Sequence, residues 1–156
     1  MKTSIAALCL SAALLAPDTV LAREITMTTQ MKSYNGDGAY LAIYLTDAQG
    51  AYQGTLWLAG GKAKYYKHLP DWYRATGGAG AEIDGVTGAS VGAGRSLKVT
   101  IDLADALIDA GYQIRIDSAV EDGRENAADI ITPLTTAGAG KATAGKGYVK
   151  SFTFDM

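Results

Sequence analysis

Residues 24–34 set Ile25, Met27 and Met31 at near-alternating positions among threonines, the period-two pattern of a strand with one buried face. Asn35-Gly36-Asp37-Gly38 then breaks the pattern with residues that accept the positive φ of a tight turn. Residues 39–46 predict a second strand, with Tyr40, Ala42 and Tyr44 facing one way and Leu41, Ile43 and Leu45 the other. A hairpin loop over 47–50 leads to a third strand at 52–59, where Trp57 is a candidate core plug. Alternation returns at 95–103, with Leu97, Val99, Ile101 and Leu103 inward, at 112–120, at 130–134 and at 148–154. Residues 104–110 predict one helical turn ending at Gly111.

Three stretches lack the period. In residues 63–75 aromatic and basic side chains crowd around Pro70, which permits at most a short helix on each side. Residues 77–94 read as one long Gly-rich loop, a length that marks function when it occurs inside a compact domain. Residues 137–147 read as a flexible loop. Six or seven short strands separated by turn signals predict an all-β fold, an immunoglobulin-like antiparallel β-sandwich with little helix.

The first residues change the compartment. Lys2, the apolar run 4–16 and the small residues ahead of Arg23 have the layout of a cleavable export signal over 1–22, leaving a single domain at 23–156. No later stretch has the roughly 20 apolar residues of a spanning helix, so the mature chain is expected in the periplasm without membrane insertion. Cys9, the one cysteine, falls within the signal, and the domain must hold its fold without a disulfide. With a net charge of −2 and basic residues scattered except over 62–74, nothing argues for a nucleic-acid footprint.

Specific chemistry enters at Asp84-Gly85-Val86-Thr87-Gly88-Ala89-Ser90. Ser90 offers a hydroxyl able to attack phosphorus, Gly88-Ala89 keeps the approach uncrowded, and Asp84 and Thr87 are placed to shape the turn through side-chain to backbone hydrogen bonds. The segment resembles the motif at which flavin transferases attach FMN covalently to extracytoplasmic proteins, with the last hydroxyl residue carrying the flavin through a phosphoester. That acceptor is usually threonine; Ser90 keeps the nucleophile and drops a methyl group. An FMN site also needs positive charge and an aromatic face. Lys62, Lys64, Lys67 and Arg74 are candidates for the phosphate, and Tyr65, Tyr66 or Trp72 for the ring, with core packing the alternative for Trp72 and one tyrosine.

His68, alone in the mature chain, builds no metal site by itself, and Asp102, Asp105, Asp109, Asp117, Glu121 and Asp122 lack calcium-loop spacing and read as solvated. The segment around Gly138–Ala142 has Thr135 and Ala142 where a phosphate loop needs Gly and Ser or Thr, and no G-x-S-x-G elbow occurs.

Over nearly the whole mature chain the sequence is similar to the bacterial periplasmic family known only as domain of unknown function 2271. The likeness runs through residues 34–40, 56–62, 65–72, 84–90 and 101–103 to Tyr148 and the terminal 152–156. Members typically occur beside PepSY-domain membrane proteins and flavin transferases. The resemblance therefore implies an electron-transfer flavoprotein, with FMN on Ser90 and a membrane PepSY-type reductase as partner; a cofactor-free binding or accessory module is the alternative. It supplies no catalytic residues.

Overall fold

Strand β1 (Ala22–Met31) buries Ile25, Met27, Thr29 and Met31 on one face, as its alternation demands. It opens a computed structural model that describes residues 21–156; of the export segment at 1–22, all but Leu21 and Ala22, Cys9 included, lies outside the described residues. Eight further strands follow: β2 (Tyr40–Thr46), β3 (Tyr52–Ala59), β4 (Thr87–Gly88), β5 (Ser96–Ala104), β6 (Gln113–Ala119), β7 (Glu125–Pro133), β8 (Thr143–Ala144) and β9 (Val149–Asp155). They form a four-stranded sheet ordered β5-β1-β9-β8 and a five-stranded sheet ordered β4-β3-β2-β6-β7.

The fold is an all-β sandwich. In immunoglobulin terms, β3-β2-β6-β7 has the order C′-C-F-G and β5-β1 the order E-B. One difference stands out: β9, the last strand, pairs antiparallel with β1 and takes the outer place that the first strand holds in an immunoglobulin domain. Between the sheets Ile25, Met27, Leu41, Ile43, Ile114, Ile116, Phe152 and Phe154 form a predominantly apolar core, with Thr29 buried on the same face of β1.

A second core covers the outer face of the larger sheet. The aromatic-basic stretch folds as a 3-10 turn (Ala63–His68) and helix α1 (Pro70–Thr76), divided at Pro70 as predicted. Proline is tolerated at the first helical position because the N–H it lacks would be unpaired there. Tyr66, Leu69 and Trp72 from this segment bury against Tyr40, Ala42, Tyr44 and Leu58. This is why β2, the central strand, is buried on both faces.

Asp117 ties that layer down, contrary to the expectation that it is solvated. Its carboxylate is fully buried and accepts hydrogen bonds from the Tyr44 hydroxyl (2.9 Å), the Trp72 backbone N–H (2.8 Å) and the Ala128 N–H (2.8 Å). Desolvation by burial nonetheless raises its pKa above the ordinary carboxylate value, against the lowering effect of those donors. The other five acids on that expectation are exposed or half-buried.

The sequence reading needs four more corrections. Residues 77–94 are not one open loop: they contain a 3-10 turn (Gly80–Glu82), β4 paired parallel with β3, and a bridge between Ala39 and Val91. Residues 137–147 contain β8, paired with β9. β7 begins at Glu125 rather than 130, and a register shift opposite Ile116–Ser118, with Ala128 at φ 46°, bends its polar first half. Finally, Trp57 is half-buried at the core rim beneath β4 rather than a central plug.

Candidate functional site

The loops joining β1 to β2, leaving β3 and joining β6 to β7 gather at one end of the sandwich, the end that carries the recognition loops of antibody variable domains. Ser90 lies there, exposed, in a segment pinned on both sides by backbone pairing. On one side the Leu58 N–H donates to Val86 O and the Gly60 N–H to Gly88 O, both at 2.8 Å. On the other, Ala39 and Val91 exchange hydrogen bonds of 2.7 and 2.9 Å. Gly88 rests on the Trp57 ring, where a Cβ would come within 2.8 Å of Cζ2, and Gly38 faces Ser90, where a Cβ would lie 2.6 Å from Oγ. Both positions exclude a side chain without displacing a neighbour.

Asp84 and Thr87 do not shape this loop as expected. Both are exposed, and among the described residues neither makes a side-chain hydrogen bond; ladder pairing fixes the backbone instead. Their side chains, like the Ser90 hydroxyl, stay uncommitted and face solvent with Ala89.

Ser90 opens onto a cavity of about 350 Å³ lined also by Asp37, Gly38, Tyr40, Lys62, Tyr65 and Glu121. The structure thus brings the Ser90 hydroxyl together with two members of the predicted cluster, Lys62 and Tyr65. Tyr65 stands edge-on to Tyr40, with ring centroids 5.6 Å apart, and its hydroxyl donates to Glu121. Lys64 Nζ lies 4.8 Å and Lys62 Nζ 5.9 Å from the Tyr65 ring centre. The Tyr65 hydroxyl raises the pKa of the Lys64 ammonium, and the hydrogen bond to Glu121 raises that of the Tyr65 phenol.

Other candidates fall elsewhere. Trp72 is fully buried, its indole N–H donating to Thr55 Oγ1 at 2.9 Å, and presents no face to a planar ligand; the core reading holds for it. Tyr66 is likewise core, its hydroxyl donating to Gly60 O. Lys67 is exposed, and Arg74 pairs with Asp71 at 2.9 Å beside a separate cavity lined by Tyr44, Tyr52 and Arg115. His68 pairs with Glu125 on the far side of Tyr65. Glu121 and Asp37 were missed as cavity residues because nothing in a surface acid's local sequence shows which loop it will face.

Among the described residues no group of three or more His, Cys, Asp and Glu side chains converges to hold a metal ion, and no helix is long and apolar enough to cross a membrane. No curated protein and no solved structure matches the chain. The model of one family, described as "Predicted periplasmic protein (DUF2271)", matches residues 22–151. That match spans most of the sequence and agrees with the location expected from the export signal: the chain belongs to the periplasmic family of domain of unknown function 2271.

Proposed function

We propose that the protein is a periplasmic redox carrier bearing FMN covalently on Ser90, loaded by a flavin transferase and exchanging electrons with a membrane PepSY-type reductase. The observation that carries this reading is an exposed serine, whose hydroxyl makes no hydrogen bond among the described residues, on a rigidly paired loop beside a cavity that also holds a lysine and a half-buried tyrosine. Lys62 and Lys64 supply charge for the phosphate, and Tyr65 a ring face for the flavin. The cavity lies within the size range of small-ligand pockets.

In the loading step the Ser90 Oγ forms a bond to the FMN phosphorus of a flavin dinucleotide donor. The bond from that phosphorus to the bridging oxygen breaks, AMP leaves with the electron pair, and the serine proton passes to a base of the transferase. When bound, FMN supplies reversible electron transfer. This chain contributes the nucleophile, its fixed position and the surface around the flavin.

Intact mass after co-expression with a flavin transferase tests the proposal. The wild-type protein should gain one FMN, Ser90→Ala none, and Thr87→Ala should keep an acceptor. An unmodified wild-type mass beside a fully modified control substrate would overturn it. A cofactor-free binding module is the second reading, favoured by the cavities on both sides of Tyr65. A colourless native protein whose unmodified form holds a partner tightly would select that reading.

A further inference from the structure

Across the 32–38 loop from Ser90 lies a cavity of about 240 Å³ lined by Lys32, Ser33, Tyr34, Arg124, Asn126, Lys146, Gly147 and Tyr148. At about 30 Å³ per water it has room for roughly eight. Its charge sets it apart. Three cations from three distant segments line it, no carboxylate does, and the whole chain carries a net charge of −2. Among the described residues none of the three is in an ion pair; Lys32 Nζ makes only a long 3.4 Å contact to Gly145 O.

Like charges so placed repel one another, and the buried Asp129 carboxylate behind the wall is turned to backbone N–H groups rather than to the three cations. The walls are nevertheless held firmly. Buried Asp129 accepts from the backbone N–H groups of Lys146 (2.7 Å), Gly147 (2.7 Å) and Val149 (3.0 Å) and from the Ser118 hydroxyl (2.6 Å), fixing the chain that carries Lys146 and Tyr148. The Tyr148 hydroxyl accepts from the Arg124 N–H at 2.8 Å, which locks the β6–β7 turn to the same wall. Asn126 donates to Ser118 at 3.2 Å, and the Tyr34 and Tyr148 rings pack 4.9 Å apart as an apolar side. The cations therefore surround a shaped, polar concavity with one aromatic wall.

We infer that this cavity is a binding site for a phosphate monoester with a flat organic substituent. Arg124 offers a planar fork and Lys32 and Lys146 point charges, one cation for each of the three terminal oxygens of the dianion. The substituent lies against Tyr34 and Tyr148. The site is separate from Ser90 and stands whether or not Ser90 is modified.

The experiment uses the mature domain with Ser90→Ala, so that no attached group interferes, and follows backbone amide shifts during titration with phenyl phosphate. The control is phenol plus sodium chloride at matched ionic strength. Saturable shifts are expected at residues 32–34, 124–126 and 145–148, weakening as salt rises. Inorganic phosphate should move the same amides with lower affinity, since it lacks the ring. Arg124→Gln and Lys146→Gln, both at exposed positions, should each weaken binding by about tenfold or more without unfolding the domain. Three results would overturn the inference: no saturable shift at millimolar phenyl phosphate, equal shifts in the control, or unchanged affinity in the folded Arg124→Gln, Lys146→Gln double variant.

Discussion

The two faces of the five-stranded sheet bury different kinds of surface. The inner face meets the other sheet through aliphatic residues, methionines and phenylalanines. The outer face meets the 63–76 segment through tyrosines, one tryptophan and a buried carboxylate. The inner core needs only volume and shape. In the outer layer every buried polar tip must find a partner, so its packing specifies one position for the segment. That segment, with Lys62 just ahead of it, carries Tyr65 to the Ser90 cavity, and the more demanding core is the one that sets the candidate site.

Truncation tests this contrast most strongly. Trp72→Ala should cost about 3–5 kcal/mol in urea unfolding. Phe152→Ala should cost a similar amount from the inner core. Native-state hydrogen exchange separates them: Trp72→Ala should speed exchange selectively at Tyr66, Leu69 and Tyr73, whereas Phe152→Ala should lower protection across both sheets. Identical patterns would break the distinction between the layers.

A smaller effect is expected at Asp117. Asp117→Leu strands the Tyr44 hydroxyl and the Trp72 and Ala128 N–H groups, and should cost about 3 kcal/mol. Ile43→Val in the inner core should cost only about 1 kcal/mol. Equal losses from chemical denaturation would argue that the polar hub has no special role.

Gly38→Ala should cost about 1 kcal/mol of stability, because its Cβ meets a movable side chain at the surface. It should still slow FMN attachment by tenfold or more, since the atom displaced is the proposed nucleophile. Unchanged loading measured by intact mass would separate Ser90 geometry from modification.

The least effect is the pH dependence of Asp117. A carboxyl whose folded pKa is raised gives stability that is fully present below its ordinary value of about 3.8 and lost as pH rises through the folded value. The wild type should therefore gain stability relative to Asp117→Asn as pH falls through the window just above 3.8. A gain in the opposite direction in matched thermal melts would mean that the three donors outweigh burial.

Strands β1, β5 and β9 could be read from the sequence because they turn alternate residues inward; β2, buried along its whole length, and β3 and β6 could be read from their runs of aliphatic and aromatic residues. The first half of β7 could not, since Glu125-Asn126-Ala127-Ala128-Asp129 has no apolar period and a bulge reverses its facing. Asp117 sits among alternating residues and looks like any solvent-side acid; the donor that ties it to the helix is 45 residues away. The Ser90 motif was legible as a local string, and so was its aromatic-basic neighbour. Their meeting was not, nor was a cation pocket built from residues 32, 124 and 146, because only the closed sandwich brings such distant positions together.

The position of β9 has a consequence for export. Thr26 pairs with Asp155, so the first strand finds one of its two neighbours only when residues 149–155 arrive. Contacts of such long range fold slowly. A chain crossing a membrane through a narrow conduit, N-terminus first, cannot finish this sandwich while its last strand is still inside. The same strand order that closes the mature domain keeps the sandwich open until β9 has emerged.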